Sequence, residues 1–363
     1  MTAVRAEWDG AVELEVETYD VRDGVWRPLR ALAYPAIVGR PDVGGLVFLN
    51  TTALERDLGT GGYALVMACG GPVPQAPPDG PGHMVKARYT PQQVMVLGVD
   101  EQESPHHDLL ADADDLLGLP VVVADLHSSL PAVVAGLLAE RPDARVAYVM
   151  TDGGALPAWF SRTVDGLRTA GWVASVVTAG QAFGGDLEAV SVHSALLAAR
   201  HVVGADVAVV VQGPGNLGTG TRWGFSGVAA GEAVNAAGVL RGRPVAALRV
   251  SGADARERHL GVSHHSLTSY GRVALVPADV VVPVLGGDLA ALGARVREQA
   301  AALGAPQGRH RLVEVGVEGL AAALAASPVR LSTMGRGYDA DPAAFLAAAA
   351  AGRHAGRLLD TPA

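Results

Sequence analysis

Residues Ala205–Gly227 read ADVAVVVQGPGNLGTGTRWGFSG, and the class of fold turns on how this stretch is read. Val207 to Val211 form an unbroken apolar run between Asp206 and Gln212. Such a run suits a strand buried on both faces of a parallel sheet. It empties into Gly213, Gly215, Asn216, Gly218, Thr219, Gly220 and Thr221, and a helical pattern resumes after Gly227. A strand that opens through glycines into a helix is a common ligand-site construction in α/β proteins.

The same unit recurs on both sides of this stretch. Val121–Val123 precede Asp125 and His127, with a helix predicted next that carries Pro131 in its first turn. Val146–Met150 precede Asp152-Gly-Gly, and Ala174–Thr178 precede Gly180–Asp186, each followed by a further predicted helix. Val245–Val250 precede Ser251–Asp254 and a segment holding His259, His264 and His265. Strand, loop and helix repeat at roughly 25 to 35 residues, the size of a βαβ unit. Right-handed crossovers place the loops along one sheet edge, which would gather Asp125, His127, Asp152, Asp186, Gln212, Asn216, Thr219, Thr221, Arg222 and Asp254. Further on, Val273–Val276, Val280–Leu285 and Val313–Val315 read as short strands, and Leu289–Leu303 and Pro342–Ala351 as helices, the second with Asp341 as N-cap.

The N-terminal part has a different period. Val12, Leu14 and Val16 alternate with Glu13, Glu15 and Glu17, the mark of a half-buried strand. Val21–Val25 reads as a hairpin turn, Trp26–Ile37 and Leu46–Leu49 as strands, and Gly70–Gly82 as a loop; no convincing helix precedes about residue 108. The expected architecture is therefore α/β: a β-rich, barrel- or sandwich-like domain over residues 1–110, then a doubly wound, mostly parallel α/β domain over residues 111–363.

Composition narrows the partners. A formal charge of -9 argues against non-specific nucleic-acid binding. The single cysteine, Cys69, leaves no internal disulfide and suits a reducing compartment. The N-terminus lacks an apolar signal core, and no run approaches the ~18 apolar residues of a membrane span. The expectation is a cytoplasmic protein with a small, anionic molecule as partner, no nucleic acid or membrane partner, and a homodimer left open.

Each chemical motif has a structural counterpart. The glycine loop would bind an anion through converging N–H groups, with Arg222 as a charged fork; alternatively it is a tight connection needing positive φ. Gly213, Gly215 and Gly218 match G-x-G-x-x-G, without the acidic residue that usually follows. Asp125 and His127, like Asp152, would ligate a metal or move protons; their structural role would be helix capping. Asp186 would face the cleft or act as an N-cap. The pairs His106–His107 and His264–His265 suggest a metal or an acid–base group, although one member of each pair, hardly both, is expected to reach a site. No HExxH, Cys/His zinc spacing or G-x-S-x-G elbow is present, and Cys69 reads as packed.

Several longer phrases carry a family likeness: LNTTALERDLGTGGY, GHMVKARYTPQQ, ESPHH, VMTDGGALP, GQAFGGDLEAVSVHSALLAARH, QGPGNLGTGTRWGFSG and RERHLGVSHHSL. Together they resemble the bacterial family called domain of unknown function 3866, over most of the chain. The resemblance implies that both parts belong to one protein; it supplies no activity and no catalytic residue.

The reading is an enzyme acting on a small anionic molecule at the sheet's carboxyl edge. Gly213, Gly215, Asn216, Gly218, Thr219, Thr221, Arg222 and Asp186 would bind the ligand. His127, His264 and Asp152 would carry catalysis, with His265 an equal candidate to His264. The cofactor is open; metal candidates are Asp125, His127, Asp152 and His264. The alternatives are a metal-dependent hydrolase and a non-catalytic binding or assembly protein.

Overall fold

A computed structural model describes the chain except residues 21–22, 73, 75–79 and 362–363. The expected turn at Val21–Val25 and the loop at Gly70–Gly82 lie partly outside the described residues. The chain forms two compact units: Met1–Leu97 with Trp159–Asp165, and Gly98–Ala158 with Gly166–Ala363.

The first unit holds an open mixed sheet of β1 (Ala3–Trp8), β2 (Ala11–Asp20), β3 (Val25–Ala33), β4 (Val47–Asn50) and β5 (Ala64–Cys69), in the order β1-β2-β3-β5-β4. A separate hairpin pairs β6 (Met84–Lys86) with β7 (Val94–Val96). Val12, Leu14 and Val16 are buried, as the alternation requires. Glu13, on the opposite face, is buried too. Its carboxylate accepts from Arg30 Nε at 2.9 Å and Tyr63 OH at 3.1 Å, and pairs with Arg162. Burial pushes its pKa up, but Arg30 and Tyr63 outweigh burial and hold it below the usual value. Arg162 belongs to the returning segment Trp159–Asp165, which Trp8 Nε1 also anchors by donating to Trp159 O at 2.6 Å. β3 stops at Ala33, earlier than the expected Ile37, because Pro35 starts a short helix, Pro35–Val38. Cys69 packs at the end of β5, and burial raises its thiol pKa.

The second unit is the doubly wound half. Eight parallel strands follow the order β11-β10-β9-β12-β8-β13-β16-β17. They are β8 (Pro120–Val123), β9 (Val146–Thr151), β10 (Ser175–Ala179), β11 (Leu187–Ala189), β12 (Val207–Gln212), β13 (Arg243–Ala247), β16 (Asp279–Val284) and β17 (Arg311–Gly316); β14 (Val250–Ser251) and β15 (Gly261–Val262) form a small antiparallel pair beside them. All six residues of β12 are buried, as its apolar run foretells. The chain leaves β8 toward β9, β10 and β11, then returns as β12 between β9 and β8. Such a reversal of direction is where open α/β sheets hold ligands.

Three expected elements differ. Val273–Val276 is no strand, because Asn235 takes the backbone groups that a ladder would use. Its Nδ2 donates to Val273 O, and its Oδ1 accepts from the N–H of Leu275 and Val276. The stretch 184–188 opens no helix. Leu187–Ala189 pairs with β10 instead, and Ser191 caps helix Val192–His201 through a capping box. The last helix runs to Leu358, beyond Ala351, because Gly352 and Gly356 serve packing and do not end it. A Cβ on Gly352 would lie 1.8 Å from Val133 O, and one on Gly136 would lie 1.9 Å from Ala349 O. Helices Leu130–Glu140 and Pro342–Leu358 thus cross with their backbones nearly touching. Among the described residues no helix is long and apolar enough to cross a membrane.

Valine at position 136 would have to push these helices apart. We expect Gly136→Val to destabilise the protein by about 1–3 kcal/mol, read as a lower midpoint in urea unfolding.

Candidate functional site

The ends of β8 and β12 are neighbours, and a side chain ties them together. Gln212 Nε2 donates to the backbone carbonyl of Asp125 at 2.8 Å and to Asn216 Oδ1 at 3.2 Å. Gly227 lies against the same acid; a Cβ there would come 2.9 Å from Asp125 Cβ. With its main chain so held, the Asp125 carboxylate enters a buried polar group. Its Oδ2 lies 3.4 Å from His265 Nδ1 and 3.6 Å from Arg249 Nη1, at side-chain exposures of 3, 8 and 9 % for Asp125, His265 and Arg249. Burial works to raise the Asp125 pKa, but His265 and Arg249 outweigh it and keep the carboxylate ionised. Neither contact closes to a hydrogen bond, so buried Oδ2 has charged neighbours but no hydrogen-bond partner.

Behind Asp125 stand two more imidazoles. Ser263 caps helix His264–Thr268 by accepting from His265 N–H, and its hydroxyl also lies 2.8 Å from His259 Nδ1. One ring nitrogen from each of His259, His264 and His265 lies within 4.8 Å of the other two. Phe225 stacks on the His265 ring at 3.8 Å and 6° and meets His264 edge-on. Burial, then the cations Arg249 and Arg256, pull the His259 pKa down to about 3. Burial, then His265 and Arg258, pull that of His264 down to about 4. Both rings are neutral at neutral pH. His264 Nε2 is buried and has no hydrogen-bond partner.

The rings of His264 and His265 stand close together, with centroids 4.5 Å apart. Successive residues on a helix diverge by about 100°, not 180°, and long side chains close that angle. The pair His106–His107 is elsewhere, with His107 Nδ1 on Asp100 O at 2.8 Å.

The glycine loop lies beside the cluster through Phe225. Its N–H groups are largely used within the loop. Thr219 N–H donates to Gly224 O, Leu217 N–H to Ser226 Oγ, Gly224 N–H to Thr221 Oγ1, and Gly227 N–H to Asn216 Oδ1. Gly215 and Gly220 adopt positive φ, and Gly213 abuts Ala155 O. The loop thus exposes its tip, Gly218 to Arg222, and does not form a cradle of free amides. The guanidinium of Arg258 approaches that tip, 3.6 Å from where a Gly220 Cβ would stand.

The remaining sequence candidates have structural partners. Asp152 Oδ2 accepts from Gln181 N–H at 2.8 Å and lies against Gly180, whose φ is +67°. Asp186 Oδ2 accepts from Val176 N–H at 2.8 Å, and Oδ1 pairs with Arg168. His127 faces Tyr148 OH at 3.2 Å; burial, against a bond to the Gln212 main chain, pulls its pKa down to about 4. Of the metal candidates read from the sequence, His264 belongs to the three-histidine group and Asp125 stands behind it; His127 and Asp152 are not members. Asp254 forms a bidentate pair with Arg256, both bonds 2.9 Å, and Asp341 accepts from Ser251 and Gly252 rather than capping its helix. A cleft lined by Ser128, Arg249, Asp254, Thr333 and Arg336 among others adjoins this edge. Sequence reasoning left out Arg249 and Phe225 and gave His259 no role. For Arg249 and His259 the signal was the density of His, Arg and Ser between residues 249 and 269.

The family profile described as protein of unknown function DUF3866 matches residues 30–352, and the chain belongs to that family. No curated protein and no solved structure matches it.

The neutral His127 has a stability signature. Its folded pKa, about 4, lies below the ordinary 6.5, so its unfolded form takes up the proton first. Its contribution is complete above pH ~6.5 and is lost as pH falls toward ~4. We expect His127→Gln to make the fall in Tm between pH 6.5 and 4 shallower than in the parent, measured by thermal melts across that range.

Proposed function

We propose that the α/β unit is an enzyme acting on a small anionic molecule at the carboxyl edge of its sheet. The observation that carries this reading is the burial of Asp125, Arg249 and His265 together just beyond β8 and β13. Apolar side chains would fill that space without the cost of desolvating charges. A buried acid, imidazole and guanidinium at a sheet edge support chemistry instead.

The surroundings support an anion. Arg249, Arg256 and Arg258 all act to deprotonate His264, which reports a positive local field. Arg258 lies beside the loop tip that carries Thr219, Thr221 and Arg222, so anion recognition is assigned to Arg258 and Arg222 together with the threonine hydroxyls. The neutral imidazoles supply bases. Side-chain nucleophiles are otherwise engaged: Ser263 Oγ contacts His259 and His265, and Ser128 donates to Thr333. An activated water is the natural reactant, which favours hydrolysis or hydration. Asp125 orients His265 in this scheme, and His264 presents a bare nitrogen to the site. Asp152, Asp186 and His127 have supporting positions, holding the β10 turn, the β10 start and the Tyr148 contact.

Calorimetric titration with inorganic phosphate and with a panel of phosphomonoesters and dicarboxylates tests the assignment. At least one anion is expected to bind, and Arg258→Ala to weaken it about tenfold or more, with cooperative melting retained. Absence of binding by any of them, or an unchanged Kd in a folded Arg258→Ala protein, refutes the reading.

A further inference from the structure

We propose that His259, His264 and His265 together bind one divalent transition-metal ion of the zinc class, and that Asp125 positions His265 for it. The proposal deepens the reading above and rests on the same sheet edge.

The first argument is geometric. Three ring nitrogens stand within 4.8 Å of one another. Nitrogen ligands around tetrahedral zinc, each at 2.0–2.1 Å, lie about 3.3 Å apart. All three side chains come from one short segment, residues 259–265.

The second argument concerns two buried polar atoms without hydrogen-bond partners, His264 Nε2 and Asp125 Oδ2. Such orphans are uncommon and call for a reason. One ion accounts for both. His264 Nε2 becomes a ligand. His265, ligating through Nε2, carries its proton on Nδ1, and the Asp125 oxygen 3.4 Å away is the acceptor that proton needs. The contact of 3.1 Å between Arg249 Nη1 and the same Nδ1 belongs to the other tautomer, because arginine only donates. Metal binding therefore selects the tautomer that faces Asp125. His259 allows the same arrangement: its Nδ1 stands 2.8 Å from Ser263 Oγ, and with the proton on that nitrogen Nε2 carries the lone pair. Carboxylate and hydroxyl partners of this sort are the usual outer support of metal-bound histidines.

The donor set names the metal class. Three imidazole donors suit zinc, cobalt, nickel or copper, whereas magnesium and calcium require oxygen donors. Three protein ligands leave a fourth position for water or substrate, the arrangement of catalytic rather than structural zinc sites. Opposing this is the positive field of Arg249, Arg256 and Arg258, since Asp125 and Asp254 are already paired with Arg249 and Arg256. Affinity has to come from imidazole donation, and the net positive charge of the loaded site then draws an anion to the open position.

Calorimetry of the chelator-treated full-length protein with zinc chloride, in buffer without phosphate or carboxylate, tests this. One ion per chain, bound at micromolar Kd or tighter, is expected, and cobalt substitution is expected to give visible absorption of a tetrahedral complex. His264→Ala should weaken zinc at least about a hundredfold, and Asp125→Asn about 10- to 100-fold. If His264→Ala does not melt cooperatively, His259→Gln replaces it in the same titration. No stoichiometric zinc binding, or binding unchanged in a folded variant of either histidine, overturns the site. An anion response that is lost in Arg258→Ala while zinc fails to bind would sink the metal site and leave the anion reading standing.

Discussion

The bond from Gln212 to the Asp125 carbonyl is the constraint on which the edge of the α/β unit depends. It joins the ends of two adjacent parallel strands at the place where the chain reverses direction across the sheet. A backbone carbonyl beyond the end of a strand has lost its ladder partner and must find another or remain costly. Gln212 supplies that partner and, through Asn216, fixes the first turn of the glycine loop as well. With the main chain of Asp125 held, its carboxylate has one direction left, toward Arg249 and His265. The charge is kept in place by these two, since an isolated buried carboxylate would take up a proton.

Around that acid the polar groups form a hierarchy. Arg249 and His265 touch it, Ser263 holds His259 and the start of the helix carrying His264, and Phe225 presses the His265 ring flat. The Asp254–Arg256 fork closes the other side. Ser263 and Phe225 thus hold the imidazoles that stand around the acid. Glycines contribute by close approach: Gly227 admits Asp125, and Gly136 and Gly352 let two helices meet.

The glycine loop shows how one composition permits two structures. Its spacing allows amides to converge on an anion, and it equally allows a short hairpin that spends those amides on itself. The second arrangement is the one formed, with Gly218 bridged to Phe225. The side chains left exposed are those at its tip, with the Arg258 guanidinium across from Gly220.

What could be read from residues alone was periodic or local. Apolar runs of three to five residues announced β8, β9 and β12, because a parallel strand is covered on both faces and has no polar side to show. Alternation in Val12, Leu14 and Val16 announced the first sheet, and the 25-to-35-residue recurrence announced its doubly wound neighbour. The sheet edge bearing Asp125, Gln212, Asn216 and Asp254 followed from that recurrence. Only the tertiary structure decided which of these meet. Glu13 sits on a face that looks solvated until a segment 149 residues away brings Arg162 to it. Val273–Val276 fails to become a strand because Asn235, on another helix, reaches its backbone first. Arg249 and His259 join the histidine pair through the β14–β15 hairpin, and no period records that contact. Hydrophobic patterning is a property of neighbours in the chain, whereas the partner of a buried charge is chosen by packing across it.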